Sequence, residues 1–169
     1  MAFDLSGKLS KKMMSDPKFR EALDESKRVH LRTFGEILEP AFTDDPTGEI
    51  ELVGALNFIS RGEYDKALRK LLRIEKRCAC PEDTCAVQFF AGLAYERSGM
   101  TVPAIQRFFA SAAAVPGHYM THVMLARLLH TNKSFDAALT NYLLAVQLIE
   151  RLEPKDEVPA VNPRTLRSA

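Results

Sequence analysis

Three alanines set the register of this chain. Ala67, Ala104 and Ala138 are 37 and 34 residues apart, and each stands in the same local pattern. Twelve residues before them come Ala55, Gly92 and Ala126, followed three residues later by Phe58, Tyr95 and Leu129. Four residues after the alanines stand Leu71, Phe108 and Tyr142. Before two of the alanines the turn reads Gly62-Glu63-Tyr64-Asp65 and Lys133-Ser134-Phe135-Asp136. Spacings of three and four place these side chains on single helix faces, so the pattern describes one helix–turn–helix unit used three times.

Glycine and proline agree with that division. Pro40, Pro46 and Gly48 interrupt the chain between 40 and 49, Pro81 and Pro116-Gly117 mark later breaks, and Pro154, Pro159 and Pro163 punctuate the end. The segments between are rich in Ala, Leu, Glu, Lys and Arg, and no alternating β-branched run is long enough for a strand. The expected fold is all-α.

The pattern resembles the tetratricopeptide repeat, whose period of about 34 residues pairs a small-x-x-aromatic helix with an A-x-x-x-F helix and a closing proline. The middle unit matches best, with Gly92-x-x-Tyr95, Ala104-x-x-x-Phe108 and Pro116. The third lacks a proline until Pro154, the first carries about three extra residues before Pro81, and none has the family's early tryptophan. The resemblance implies a right-handed α-solenoid of three hairpins at about 49–83, 84–117 and 118–153. One hairpin cannot bury its own apolar face, so the units must stack and the ends need covering.

Residues 1–14 read as mobile, and 15–48 as an N-terminal helix with its linker. Ser15-Asp16-Pro17 offers a capping oxygen followed by proline at the first helical position. Phe19, Ala22, Leu23, Ser26, His30, Phe34, Ile37 and Leu38 then form one stripe. Such a helix must cover something, and the candidates are an end of the array or a second copy of the chain, giving a homodimer through this helix. Residues 154–169 are polar and proline-rich, and are expected to be disordered.

In the tetratricopeptide family the first helix of each repeat lines a concave groove that holds a partner protein. The resemblance assigns this role to Leu52, Leu56 and Ile59, to Phe89, Leu93 and Glu96, and to Val123, Arg127 and His130. The same apolar positions could equally be core. A groove apolar at one end and charged at the other suits a peptide with apolar anchors. Repeats that clamp the terminal carboxylate of heat-shock chaperones use Lys and Asn where this chain has Leu52, Leu56, Phe90, Met120 and Met124. That argues against such a co-chaperone. The layout of an N-terminal helix and three repeats, with the Phe89-Phe90-x-Gly92-Leu93 run, is similar to class II chaperones of type III secretion, which hold translocator segments.

Lys66, Arg69, Lys70, Arg73, Lys76 and Arg77 share one helix face. They could meet an acidic partner or a phosphate backbone, or form a solvated outer wall with Ala67, Leu68, Leu71 and Ile74 turned inward. The wall is favoured because no aromatic side chains interleave with the charges and the net charge is only +1. RNA is therefore a minor alternative. Cys78, Cys80 and Cys85 fall within one loop, one short of the four ligands of a structural zinc site unless His30 or His118 joins them. A Cys80–Cys85 disulfide is the other option, but reduced cysteines at a helix junction fit better.

His118 and His122 lack the glutamate of a metalloprotease helix, and no phosphate loop, nucleophile elbow or carboxylate pair stands out. No enzyme activity and no cofactor are expected. No apolar run is long enough to span a bilayer, and the N-terminus lacks a signal peptide's apolar core, so cytoplasm is the expected compartment. Two functions fit these features: a chaperone or carrier holding a segment of one client, and a permanent scaffold subunit of a larger complex.

Overall fold

The computed structural model describes residues 5–152. These are helical nearly throughout, and no strand occurs among them. In chain order the helices are α1 (Leu5–Met14), α2 (Pro17–Leu38), α3 (Pro46–Ser60), α4 (Tyr64–Ile74), α5 (Pro81–Arg97), α6 (Thr101–Ala114), α7 (Tyr119–Thr131) and α8 (Phe135–Leu152). One 3₁₀ turn, Glu75–Arg77, follows α4. No helix among the described residues is long and apolar enough to cross a membrane.

Proline and aspartate start the early helices as the sequence suggests. Asp16 caps α2, its Oδ1 accepting from the Lys18 amide at 3.0 Å, and Pro17 occupies the first turn. Asp45 and Pro46 repeat the device at α3, with the Thr47 amide 3.1 Å from Asp45 Oδ1. The linker is consequently shorter than Pro46 and Gly48 suggest, because both lie inside α3. Gly62 and Gly99 adopt φ of +77° and +82° at the turns after α3 and α5, where a side chain would be strained. Lys133 takes the corresponding place after α7 at φ 62°.

Consecutive helices pack on one another, α3 with α4, α5 with α6 and α7 with α8, while α4 meets α5 and α6 meets α7. The small residues sit where helices approach closely. Ala55, Ala67, Ala104 and Ala126 are completely buried, and a Cβ on Gly92 would stand only 3.0–3.1 Å from the Phe108 ring. The core runs through this stack, with Phe89, Phe90, Phe108, Leu71 and Leu125 at its centre. Among the described residues no buried side-chain nitrogen or oxygen lacks a hydrogen-bond partner.

The N-terminal region departs from the sequence reading in two ways. Residues 5–14, read as mobile, form α1, which packs against α3 and α2 and buries Ser10. This helix carries no acidic residue in its first turn and has a glycine within it, which weakens its signal in the sequence. The second departure is where α2 lies. It crosses α3 and α5 rather than capping an end of the stack. The expected disorder of 154–169 lies outside the described residues.

Candidate partner-binding face

Helix α2 lies against α3 and α5. Phe34 inserts its ring edge-on against Phe89 and Phe90, with centroids 5.9 and 5.3 Å away. His30 Nε2 stands 2.9 Å from Asn57 Oδ1, and Asn57 Nδ2 donates to Ser26 Oγ at 2.9 Å. Lys27 pairs with Glu49 at 2.7 Å. Beyond these contacts the cover is shallow. Before Phe34 only Leu23 and His30 of α2 are buried, and Val29 is 65 % exposed. A cavity of about 220 Å³ remains between Val29, Thr33 and Phe34 on one side and Leu56, Ile59 and Leu93 on the other. The backbone of α2 also breaks at Phe34 (φ −125°, ψ 25°), next to Gly35, and beyond it Ile37 and Leu38 are fully packed.

The nine positions assigned to the groove therefore divide. Leu52, Leu56, Ile59, Phe89 and Leu93 are at most 5 % exposed and belong to the hydrophobic core of the isolated chain. Glu96 is half-buried and ion-paired with Arg127. Val123 is half-buried, while Arg127 and His130 face solvent. An apolar stripe in the sequence looks the same whether it lines an open groove or a covered one. The residues that make the difference, Ser26, His30 and Phe34, were visible as a stripe, but nothing in the sequence said which surface they meet.

No protein-family model, curated protein or solved structure matches the chain. The chemistry of the face must be judged from its own residues.

The six basic residues of the outer wall are largely neutralised. Lys66 pairs with Glu63, Lys70 with Glu51 at 2.7 Å, and Arg73 with the same carboxylate at 3.8 Å. Arg77 lies in the 3₁₀ turn rather than in α4, and grips Asp45 through Nε and Nη2 at 2.8 and 2.9 Å. That guanidinium holds the Asp45 carboxyl below the usual carboxylate range. Of the six, only Arg69 and Lys76 have no ion pair among the described residues.

The cysteines do not converge either. Cys85 is buried with Sγ 3.3 Å from Ser111 Oγ, and Cys78 and Cys80 are half-buried along the loop before α5. Among the described residues no group of three or more His, Cys, Asp or Glu side chains is arranged to hold a metal ion. Burial pushes the Cys78 thiol up to about 11 and raises that of Cys85, so both stay protonated at neutral pH.

Both histidines noted in the sequence are engaged within the fold. His118 caps α7, its Nδ1 accepting from the Thr121 amide at 3.3 Å. His122 reaches the Pro116 carbonyl oxygen at 2.9 Å and Asn141 Oδ1 at 3.0 Å.

Proposed function

We propose that the chain is a protein-binding module of three tetratricopeptide-type hairpins, stacked as a right-handed solenoid, whose groove is held closed by its own α2. The observation that carries this reading is the shallow cover. An amphipathic helix already lies on α3 and α5, attached up to its break by the buried Leu23 and His30, the partly buried Leu31 and Phe34 and a few polar contacts, with a cavity beneath it. A partner helix with larger apolar anchors would fill that cavity and bury more apolar surface, on the order of 1.5–3 kcal/mol for each fully buried anchor. The solvent-facing Arg127 and His130 at the far end would then meet a polar or acidic continuation of the same segment. A placeholder helix suits a carrier that takes up and releases a client better than a subunit with a fixed partner. The paired charges of the outer wall favour a protein partner over RNA. The engagement of the histidines within the fold and the protonation of the thiols leave them no catalytic task in this reading.

The test is capture of partners from the source cells by the full-length chain and two variants. Leu23→Asp weakens the attachment of α2 outside the fully packed core, and Arg127→Glu reverses the charge at the open end. Phe89 is fully buried and unsuited to such a test. Each variant is first checked for unchanged helix content by circular dichroism. A client bound by wild type should be recovered more strongly with Leu23→Asp and more weakly with Arg127→Glu. Equal recovery by all three would place binding elsewhere.

A further inference from the structure

The last hairpin leaves uncovered a face that the first two bury. In α4, Leu71 is completely buried and Leu68 packs on the core; in α6, Phe108 is completely buried against Phe89 and Gly92 of α5, and Ile105 packs on the core. In the register of the repeat the matching residues of α8 are Leu139 and Tyr142, which are 58 % and 38 % exposed. Phe135 and Val146 continue the same stripe at 59 % and 51 % exposure. The spacing of four, three and four residues keeps all four on one side of the helix. End repeats of helical arrays ordinarily turn a polar face outward. Here Asp136 is the only charged residue between Phe135 and Ile149. The face is apolar like the surfaces buried between the earlier helices, and no helix among the described residues stacks on it.

We propose that a second copy of this chain fills the place, its α8 lying antiparallel to the first across a two-fold axis near Tyr142. The partner that such a surface requires is an apolar, nearly uncharged helix, and α8 is one. The charges at the two ends set the direction. Lys133 lies just before the stripe and Glu150 at its far end, both exposed. Antiparallel pairing brings Lys133 of one copy toward Glu150 of the other and opposes the helix dipoles, whereas parallel pairing sets like ends together. The stripe with neighbouring Leu143 leaves on the order of 500 Å² uncovered per copy, so a pair removes roughly 1,000 Å², near the lower bound for a specific interface.

Sedimentation velocity of the full chain at micromolar concentration tests this. Wild type should sediment at twice the chain mass, Leu139→Glu as a monomer with unchanged circular dichroism, and Val29→Glu, equally exposed but on α2, as a dimer. A monomeric wild type overturns the proposal, as does a Leu139→Glu chain that stays dimeric. Cysteine cross-linking decides the matter should Leu139→Glu fold poorly. Tyr142→Cys, near the axis, should give a disulfide-linked dimer under mild oxidation. Phe135→Cys, which meets the far end of the partner helix, should not, and neither should wild type. Equal cross-linking of the two positions, or none by Tyr142→Cys, contradicts the antiparallel pair.

Discussion

Phe42, Gly48 and Asp83 show how closely single residues are fitted here. Phe42 is buried in the turn between α2 and α3 at φ 54°, a region that bulky residues seldom occupy. Its amide donates to Asp83 Oδ1 at 2.7 Å, and the other carboxylate oxygen accepts from the Ala79 amide at 3.0 Å. One buried side chain thus ties the turn before α3 to the loop before α5. The Phe42 ring lies directly over Gly48, where an added Cβ would meet ring atoms at 2.8 Å and closer. Gly48→Ala would ordinarily gain helix propensity, up to about 1 kcal/mol. Overpacking against a ring held from behind outweighs that gain, and a net loss of about 2 kcal/mol in urea unfolding is expected. In the sequence Gly48 reads as a linker residue beside Pro46. Its true role depends on a contact with a turn that no local pattern encodes.

Among the helices, α7 carries the clearest pH dependence. His118 accepts the Thr121 amide at Nδ1 and must be neutral to do so. Burial pushes its pKa from 6.5 down to about 4, with nearby His122 adding to the shift. Glu36 of α2 stands 3.9 Å from Nε2, but it is half exposed and does not offset the burial. The unfolded chain takes this proton near pH 6.5 and the folded chain only near 4, so the unfolded state binds more protons across that window. The contribution is complete above pH 6.5 and is lost as pH falls toward 4, by about 2–3 kcal/mol. His118→Asn keeps a capping side chain without the titration, and its unfolding midpoint should fall less steeply than wild type between pH 6.5 and 4. Identical slopes would remove His118 from the account.

The helices themselves were well marked in the sequence. The alternation of Ala55, Gly92 and Ala126 with Ala67, Ala104 and Ala138 located six of them, because close helix crossings demand small side chains. Asp16-Pro17 located a seventh. α1 was missed although Asp4 directly precedes it, and it packs on α3.

For the molecule as a whole, the question is which apolar faces are covered and by what. Periodicity reports how much apolar surface a helix carries, and it is silent about the surface that meets it. The stripe of Leu52 to Phe89 and that of α8 look alike in sequence, yet the first is buried and the second is exposed among the described residues. In the proposed function the closure by α2 is a weak one, made to be reversed. Native-state hydrogen exchange of the isolated chain tests this most directly. Amides of residues 19–33 should exchange through local opening, with protection at least about 100-fold below that of residues 86–94 in α5. Equal protection of the two segments would make α2 a permanent part of the core and would contradict the proposed function.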